Sequence, residues 1–449
     1  MKKVFYGFVE TGVNAVETFI RLHLLVFYSQ KVGIPSFWVG VALSISILWD
    51  AAIDPLIGRF SDAWRRRHGT RWHLVIMGSM ATAIFLSALY HPPSSLVTQQ
   101  MKWLYLLGMG LLFNTSYTLF SIPYTAMVGD FSSDRQERGK LIAWRMVFSN
   151  IGAFCGIIAP GYYLSRNYPD AYQQASWVLA MLVLFATFVG SFSLTRNDPD
   201  EDIDRTDVKF EPPIWEKLKA TFHNKPFFSL VGAFFVVNMG LTINSAAALF
   251  YYRLRLQFNE EQIRNVLVIF LAVFSISIPL WVWIGKKWGR KYALIAGALI
   301  FGVSSFFIYP LLPVGNALAA YLWASTFGGL VVGSYVLAES ILTDVVDYDT
   351  VKTREENFGF YFGLWKFTAK FSRALALLIT GLLLDWSNVD FPDPETPKRI
   401  ALAFGPAVGI FFVIAAVILM PFGLTEDRCR KVKEILQRRT LMVSMIEND

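Results

Sequence analysis

Apolar runs of about 20 residues, the length at which a helix spans roughly 30 Å of hydrocarbon, recur twelve times between residues 7 and 424. No other feature constrains the fold as strongly. In lipid every backbone N–H and C=O must be satisfied within the chain, so each such run has to be a helix. The rest of the composition agrees: 54% of residues are hydrophobic, 17% are charged and the mean hydropathy is +0.43, too apolar for a water-soluble domain. The chain reads as an all-α membrane protein of twelve transmembrane helices in two pseudo-symmetric six-helix bundles. Its longest polar interruption, residues 195–225, follows the sixth run. That gives an N-terminal bundle over 1–194, a cytoplasmic linker over 195–225, a C-terminal bundle over 226–424 and a cytoplasmic tail over 425–449. MKKVFYGFVE leads into a long segment carrying Glu17 and Arg21 and reads as a retained first helix.

A net charge of +7, from 41 Lys+Arg against 34 Asp+Glu, would suit a nucleic-acid binder if the basic residues clustered. Instead they concentrate in alternate loops, which sets a multi-pass orientation with both termini cytoplasmic and removes the nucleic-acid reading. The cysteines Cys155 and Cys429 are too few and too far apart for a disulfide framework. The five histidines, His23, His68, His73, His91 and His223, form no HExxH pattern, and no nucleophile constellation stands out, so an enzyme is not expected.

Charge inside the apolar runs is the second constraint. Glu17, Arg21, Asp50, Asp54, Arg145, Lys366, Lys370 and Arg373 all fall within predicted spans. At roughly 2.5 to 3.5 kcal/mol each, unpaired and unhydrated, they would cost on the order of 20 kcal/mol. Their spacing offers a solution. Glu10, Asn14, Glu17 and Arg21 form one helical stripe, Asp50 and Asp54 a second, and Lys366, Lys370 and Arg373 a third. Three polar stripes facing inward describe a hydrated pathway between the halves. Asp50 and Asp54, one turn apart, repel unless a cation lies between them or one is protonated. Two carboxylates and a hydroxyl would suit sodium, a hard cation that prefers oxygen ligands.

The halves echo each other in sequence. GRFSDAWRRRHGTR (58–71) follows the second run and GKKWGRK (285–291) follows the eighth. In the first of these, Gly58, Asp62, Arg65 and Arg71 are candidates for a gating loop, with glycines letting helix ends approach closely and Asp62 pairing with a nearby arginine.

These motifs, with YGF (6–8), WDAAIDPLIG (49–58), YTLFSIPY (117–124), SSDRQERGKLIAWR (132–145) and DVVDY (344–348), resemble the major facilitator superfamily. Within it they resemble the glycoside-pentoside-hexuronide:cation symporters related to melibiose permease, and also the sodium-dependent lysophospholipid symporters. The resemblance implies a cation site on Asp50, Asp54 and Thr118, although Ile53 stands where relatives often carry asparagine between the acids. The family's sugar-binding acids and aromatic match Asn14, Ser121 and Thr125, so its galactoside site is absent. Arg145 matches the family's arginine on the fifth helix, and Lys366 and Lys370 flank the position of its lysine on the eleventh.

Five basic and three acidic residues among the eight buried charges favour an anionic or zwitterionic substrate. Asn14, Glu17, Arg21, Ser121, Arg145, Lys366 and Lys370 are the candidate substrate ligands. The expected protein is a cation-coupled secondary active symporter of the bacterial inner membrane. It would use Na+, or alternatively H+, as coupling ion, with no resident cofactor, to move a glycoside, uronide or other anionic sugar-like solute by alternating access. The alternative is a sodium-coupled lysophospholipid transporter, with Phe113, Phe120, Phe360, Phe362 and Trp365 beside an acyl-chain path. Membrane lipids and a small-molecule substrate are the expected partners. A monomer is expected, since one chain already holds both halves.

Overall fold

The computed structural model describes residues 2–131, 135–193, 224–353, 358–424, 426, 428–432 and 434–436. The proposed linker falls almost entirely outside the described residues, as does most of the proposed tail. In chain order the helices are α1 (Lys2–Val26), α2 (Ser36–His68), α3 (Trp72–Leu89), α4 (Gln99–Phe131), α5 (Arg135–Ser165), α6 (Ala171–Ser191), α7 (Lys225–Phe250), α8 (Glu260–Trp288) and α9 (Arg290–Leu311). They continue with α10, an interrupted rod from Ala317 to Thr353, then α11 (Phe358–Trp386) and α12, which runs from Thr396 to Leu419 with a break at Gly405. Ten of these are long and apolar enough to cross a membrane. The two that fall short of that measure, α1 and α4, carry the polar side chains of the cavity described below, so their lower hydropathy has a local cause.

Helix boundaries follow from local chemistry. Asn259 and Gln262 make a reciprocal capping box at the start of α8, and the Asn224 side chain accepts from the Phe227 N–H at the start of α7. At the end of α2, Gly69 adopts the left-handed conformation (φ 74°) and its N–H returns to the Arg65 carbonyl. Within α10, a π-helical stretch (Ala324–Leu330) and a 3-10 turn (Gly333–Val336) interrupt the α-helix, an irregularity the sequence reading did not anticipate.

The internal repeat is visible in backbone detail. Both α1 and α7 run into five-residue π-turns, Phe27–Lys31 and Tyr251–Arg255. Each turn closes with the same two bonds, Val32 N–H to Phe27 O and Ile34 N–H to Tyr28 O in one, Leu256 N–H to Tyr251 O and Phe258 N–H to Tyr252 O in the other. A positive φ follows in each, at Gly33 and at Gln257.

Helices α1–α6 pack among themselves, as do α7–α12, and the two sets meet along α2–α11, α5–α8 and α1–α7. Mapping one half on the other exchanges the first two of these contacts, as a pseudo-two-fold relation requires. Among the described residues, the halves are closed at one face and parted at the other. At the far face, opposite the end where α1 begins, Asp390 accepts from both the backbone N–H and the hydroxyl of Ser36 (2.8 and 2.7 Å), and Ser44 donates to the Ala374 carbonyl (2.7 Å). Arg253 reaches across to Gln30 and Tyr172 (3.1 and 3.2 Å). The α2–α11 crossing depends on glycine: a Cβ on Gly40 would lie 2.7 Å from the Leu377 carbonyl oxygen. One buried apolar cluster runs across both halves here, joining Tyr28, Tyr90 and Tyr172 to Tyr251, Tyr309 and Phe404. Toward the near face, where α1 begins, α2 and α11 have parted, and a Cβ on Gly58, Gly359 or Gly363 would meet no heavy atom within 4 Å.

Candidate functional site

Between the halves lies a cavity of about 740 Å³ whose walls come from α1, α2, α4, α7 and α11, with Leu89 of α3, within the size range of small-molecule sites. It extends from Leu24, Leu43, Leu89 and Leu377 on the far side to Pro55, Ala126 and Gly363 on the near side. Of the expected ligands, Glu17, Arg21, Asp50, Asp54, Thr118, Ser121, Lys366 and Lys370 all line it. The three stripes of the sequence therefore converge, carried by α1, α2 and α11.

At mid-bundle, Lys370 of α11 sits on both aspartates of α2. Its Nζ is 2.7 Å from Asp50 Oδ2 and 2.5 Å from Asp54 Oδ2. Helix α4 adds Thr118, whose hydroxyl donates to Asp50 Oδ1. The i, i+4 spacing of the acids, which alone would be repulsive, thus forms a two-pronged receptor for one positive charge. Asp54 Oδ1 is buried and accepts no hydrogen bond from the described residues, an acceptor that a cation or proton would satisfy. Among the described residues no group of three or more His, Cys, Asp or Glu side chains is placed to hold a metal ion. A cation here would rest on the two carboxylates and the Thr118 hydroxyl.

A second charged group lies one turn toward the far face. Glu17 Oε1 accepts from Arg21 Nη2 at 2.6 Å and lies 3.3 Å from Arg373 Nη2, while Tyr117 donates to Oε2 at 3.4 Å. Arg373 and Tyr117 were not among the expected ligands, although Arg373 shares the helical stripe of Lys366 and Lys370. Lys366 lines the cavity near Asp54, without a close ion pair among the described residues.

Three expectations need correction. Asn14 and Arg145 lie outside the cavity. Asn14 donates to Glu10 Oε1 (3.2 Å), and Arg145 pairs with Glu10 Oε2 (2.8 Å) and places its guanidinium 4.9 Å from the centre of the Tyr124 ring. Both are drawn to Glu10, a buried carboxylate of the first half that needs a partner. The aromatic path is also different: Phe113 lines the cavity, but Phe120 is wholly buried, Trp365 stacks on Phe234, and neither Phe360 nor Phe362 reaches the wall. The apolar lining comes mainly from aliphatic side chains. Finally, Gly58 makes no close approach, because its surroundings are open. The glycine that the loop requires is Gly69, at the left-handed cap.

The loop charges form a compact network inside the first half. Arg71, 8% exposed, reaches Asp62 (2.6 Å), Asp130 (2.9 Å) and the Ser61 hydroxyl (2.9 Å), and Arg65 joins Asp130 at 3.1 Å. The second half repeats the idea. Arg290, just after Gly289 (φ 92°), pairs with Asp344 of DVVDY at 2.5 Å.

The sequence model described as MFS/sugar transport protein matches residues 5–426. The sodium-dependent lysophosphatidylcholine symporter 1 of Xenopus tropicalis is 24% identical, covering 92% of this chain and 85% of its own length. The uncharacterized symporter sll1374 of Synechocystis is 22% identical over 97% and 96% of the two chains. Among solved structures, that of the nucleoside transporter NupG superposes with a TM-score of 0.66 at 11% identity, covering 94% of this chain and 98% of that one. At that identity the likeness concerns the fold alone.

Proposed function

The chain belongs to the MFS/sugar transport protein family, and we propose that it is a cation-coupled symporter that carries an organic solute with an anionic group by alternating access. The observation that carries this reading is the position of Lys370. Its ammonium belongs to the second half and its partners, Asp50 and Asp54, to the first. A sodium ion or proton that binds these carboxylates competes with Lys370 and so loosens a strut between the halves. Cation binding is thereby tied to the conformational equilibrium, and the coupling is reciprocal for any solute that binds where the strut is released.

Charge balance favours an anion as cargo. Glu17, Asp50 and Asp54 face Arg21, Lys366, Lys370 and Arg373 in the same cavity, and a bound cation adds to the positive excess. Lys366 and the released Lys370 would contact the solute, with Ser121 beside them as a hydroxyl partner. With the basic loops on the cytoplasmic side, the open near face is cytoplasmic, both termini lie inside and the structure is inward-facing. A bacterial inner membrane and a monomer fit this arrangement, because one chain supplies both halves of the pathway.

A second reading concerns the solute's body. The aliphatic far end of the cavity, and relatives named as lysophosphatidylcholine symporters, favour an amphiphile with an acyl chain over a fully hydroxylated uronide.

One screen tests the proposal: thermal unfolding of purified protein with sugar acids or lysophospholipids, in sodium or in choline at equal ionic strength. Sodium should stabilise the protein, and the correct solute should stabilise it further in sodium. A dependence on pH and not on sodium would assign the proton, and stabilisation by neither cation would contradict the reading.

A further inference from the structure

The Glu17 group has more positive charge than it needs for its own balance. One carboxylate oxygen serves two guanidinium groups, Arg21 from α1 at 2.6 Å and Arg373 from α11 at 3.3 Å. Those distances place two like-charged nitrogens no more than about 6 Å apart, a repulsion that one carboxylate only partly offsets. Each guanidinium has five N–H donors in a fixed fork, and most of those on these two arginines are uncommitted. Both side chains line the cavity, and 45% and 36% of their side-chain surface is exposed. They belong to different halves, so a ligand held by both would bridge the halves. Among side chains of this cavity, none is better suited to a bidentate oxyanion.

We propose that Arg21 and Arg373 form the subsite for the solute's oxyanion, a carboxylate or phosphodiester, and that the bound oxyanion takes over Arg373 from Glu17. The inference rests on the symport reading and adds a second exchange to it. Without ligands, α11 is tied to α2 through Lys370 and to α1 through Arg373. The cation replaces the first tie and the oxyanion replaces the second. The charged ties of α11 to the first half within the cavity are broken only when both have been exchanged, which makes movement of either ligand alone unfavourable.

The test uses the full-length purified protein in nonionic detergent and two matched pairs of probes. D-glucuronate against methyl glucoside represents a soluble oxyanion, and lysophosphatidylcholine against monoolein represents a lipid headgroup. Half-saturating concentrations are read from thermal-stability titrations in sodium. At least one charged probe should bind ten-fold or more tighter than its neutral match, and the pair that shows the preference identifies the source. Arg373→Gln and Arg21→Gln should each bring that ratio close to one. Arg373→Lys, which keeps the charge without the fork, should give an intermediate ratio and serves if the glutamine variant elutes as aggregate. Glu17→Gln removes the competitor and should tighten the charged probe several-fold. The proposal is overturned if neither charged probe outbinds its neutral match, if Arg373→Gln keeps the ratio, or if Glu17→Gln weakens the charged probe. A charge preference that Arg373→Gln abolishes, in a protein indifferent to sodium and pH, would instead overturn the symport reading alone.

Discussion

Replacing Lys370 by glutamine separates two roles that the proposed symport gives to one ammonium. In the native protein Lys370 occupies both carboxylates, and the three side chains are only 24%, 13% and 29% exposed. At an effective dielectric of about 20, a pair of charges 4 Å apart is worth about 4 kcal/mol. Water entering from the near face reduces this to about 1.5 to 3 kcal/mol available to a competing cation. At 1.4 kcal/mol per factor of ten, Lys370→Gln should tighten sodium binding by about 10- to 100-fold. In the absence of sodium the variant leaves two neighbouring carboxylates without a counter-charge, which costs about 3 to 5 kcal/mol of stability. Sodium at one hundred times its dissociation constant would restore about 2.7 kcal/mol of that. The assay is calorimetric sodium titration with choline holding ionic strength constant, alongside unfolding at each sodium concentration. Gradient-driven uptake should fall even though sodium binds more tightly, because cation binding no longer breaks a strut. Unchanged or weaker sodium affinity in Lys370→Gln would refute the competition.

Other parts of the structure give further expectations. Arg71→Ala leaves Asp62 and Asp130 without their shared, nearly buried partner and should destabilise the first half by about 3 kcal/mol, measured by chemical unfolding. Gly40→Val forces a side chain against the Leu377 carbonyl. It should open the far face, raising the reactivity of a cysteine introduced at Ala374 toward a water-soluble maleimide. In the loop before α12, Asp393 accepts from the Asn388 side chain, from Thr396 and from the Glu395 and Thr396 backbone N–H groups, which hold its carboxyl below the ordinary carboxylate range. Its contribution to local stability is therefore complete above pH about 4 and lost as pH falls through its depressed value. Amide exchange at Glu395 and Thr396 should accelerate over that acidic range, and Asp393→Asn should remove the pH dependence.

The sequence specified much of this arrangement because periodicity and hydropathy are local. The apolar runs gave the helices, and the spacing of Glu17 and Arg21, of Asp50 and Asp54, and of Lys366, Lys370 and Arg373 placed each group on one helical face. What spacing does not encode is which faces meet. Lys370 was expected to clasp an anion, yet α2 and α11 cross so that it rests on two acids. Arg145 and Asn14 were assigned to the pathway by alignment of motifs, whereas Glu10, a member of the same α1 stripe with no role assigned to it, holds both. Arg373 shows the opposite case: the family motif points to Lys366 and Lys370 as ligands, whereas helical spacing alone places Arg373 on the same inward stripe. The π-turns after α1 and α7 left no recognisable sequence signal, since FYSQK and YYRLR share little beyond an aromatic pair.

In the proposed symport the coupling cation acts through the α2 carboxylates. This is tested most directly by uptake into proteoliposomes under an imposed sodium or proton gradient, comparing the native protein with Asp50→Asn and Asp54→Asn. Both variants should remain folded and lose most gradient-driven accumulation. Accumulation that keeps its full dependence on the gradient in either variant would contradict that role for the carboxylates.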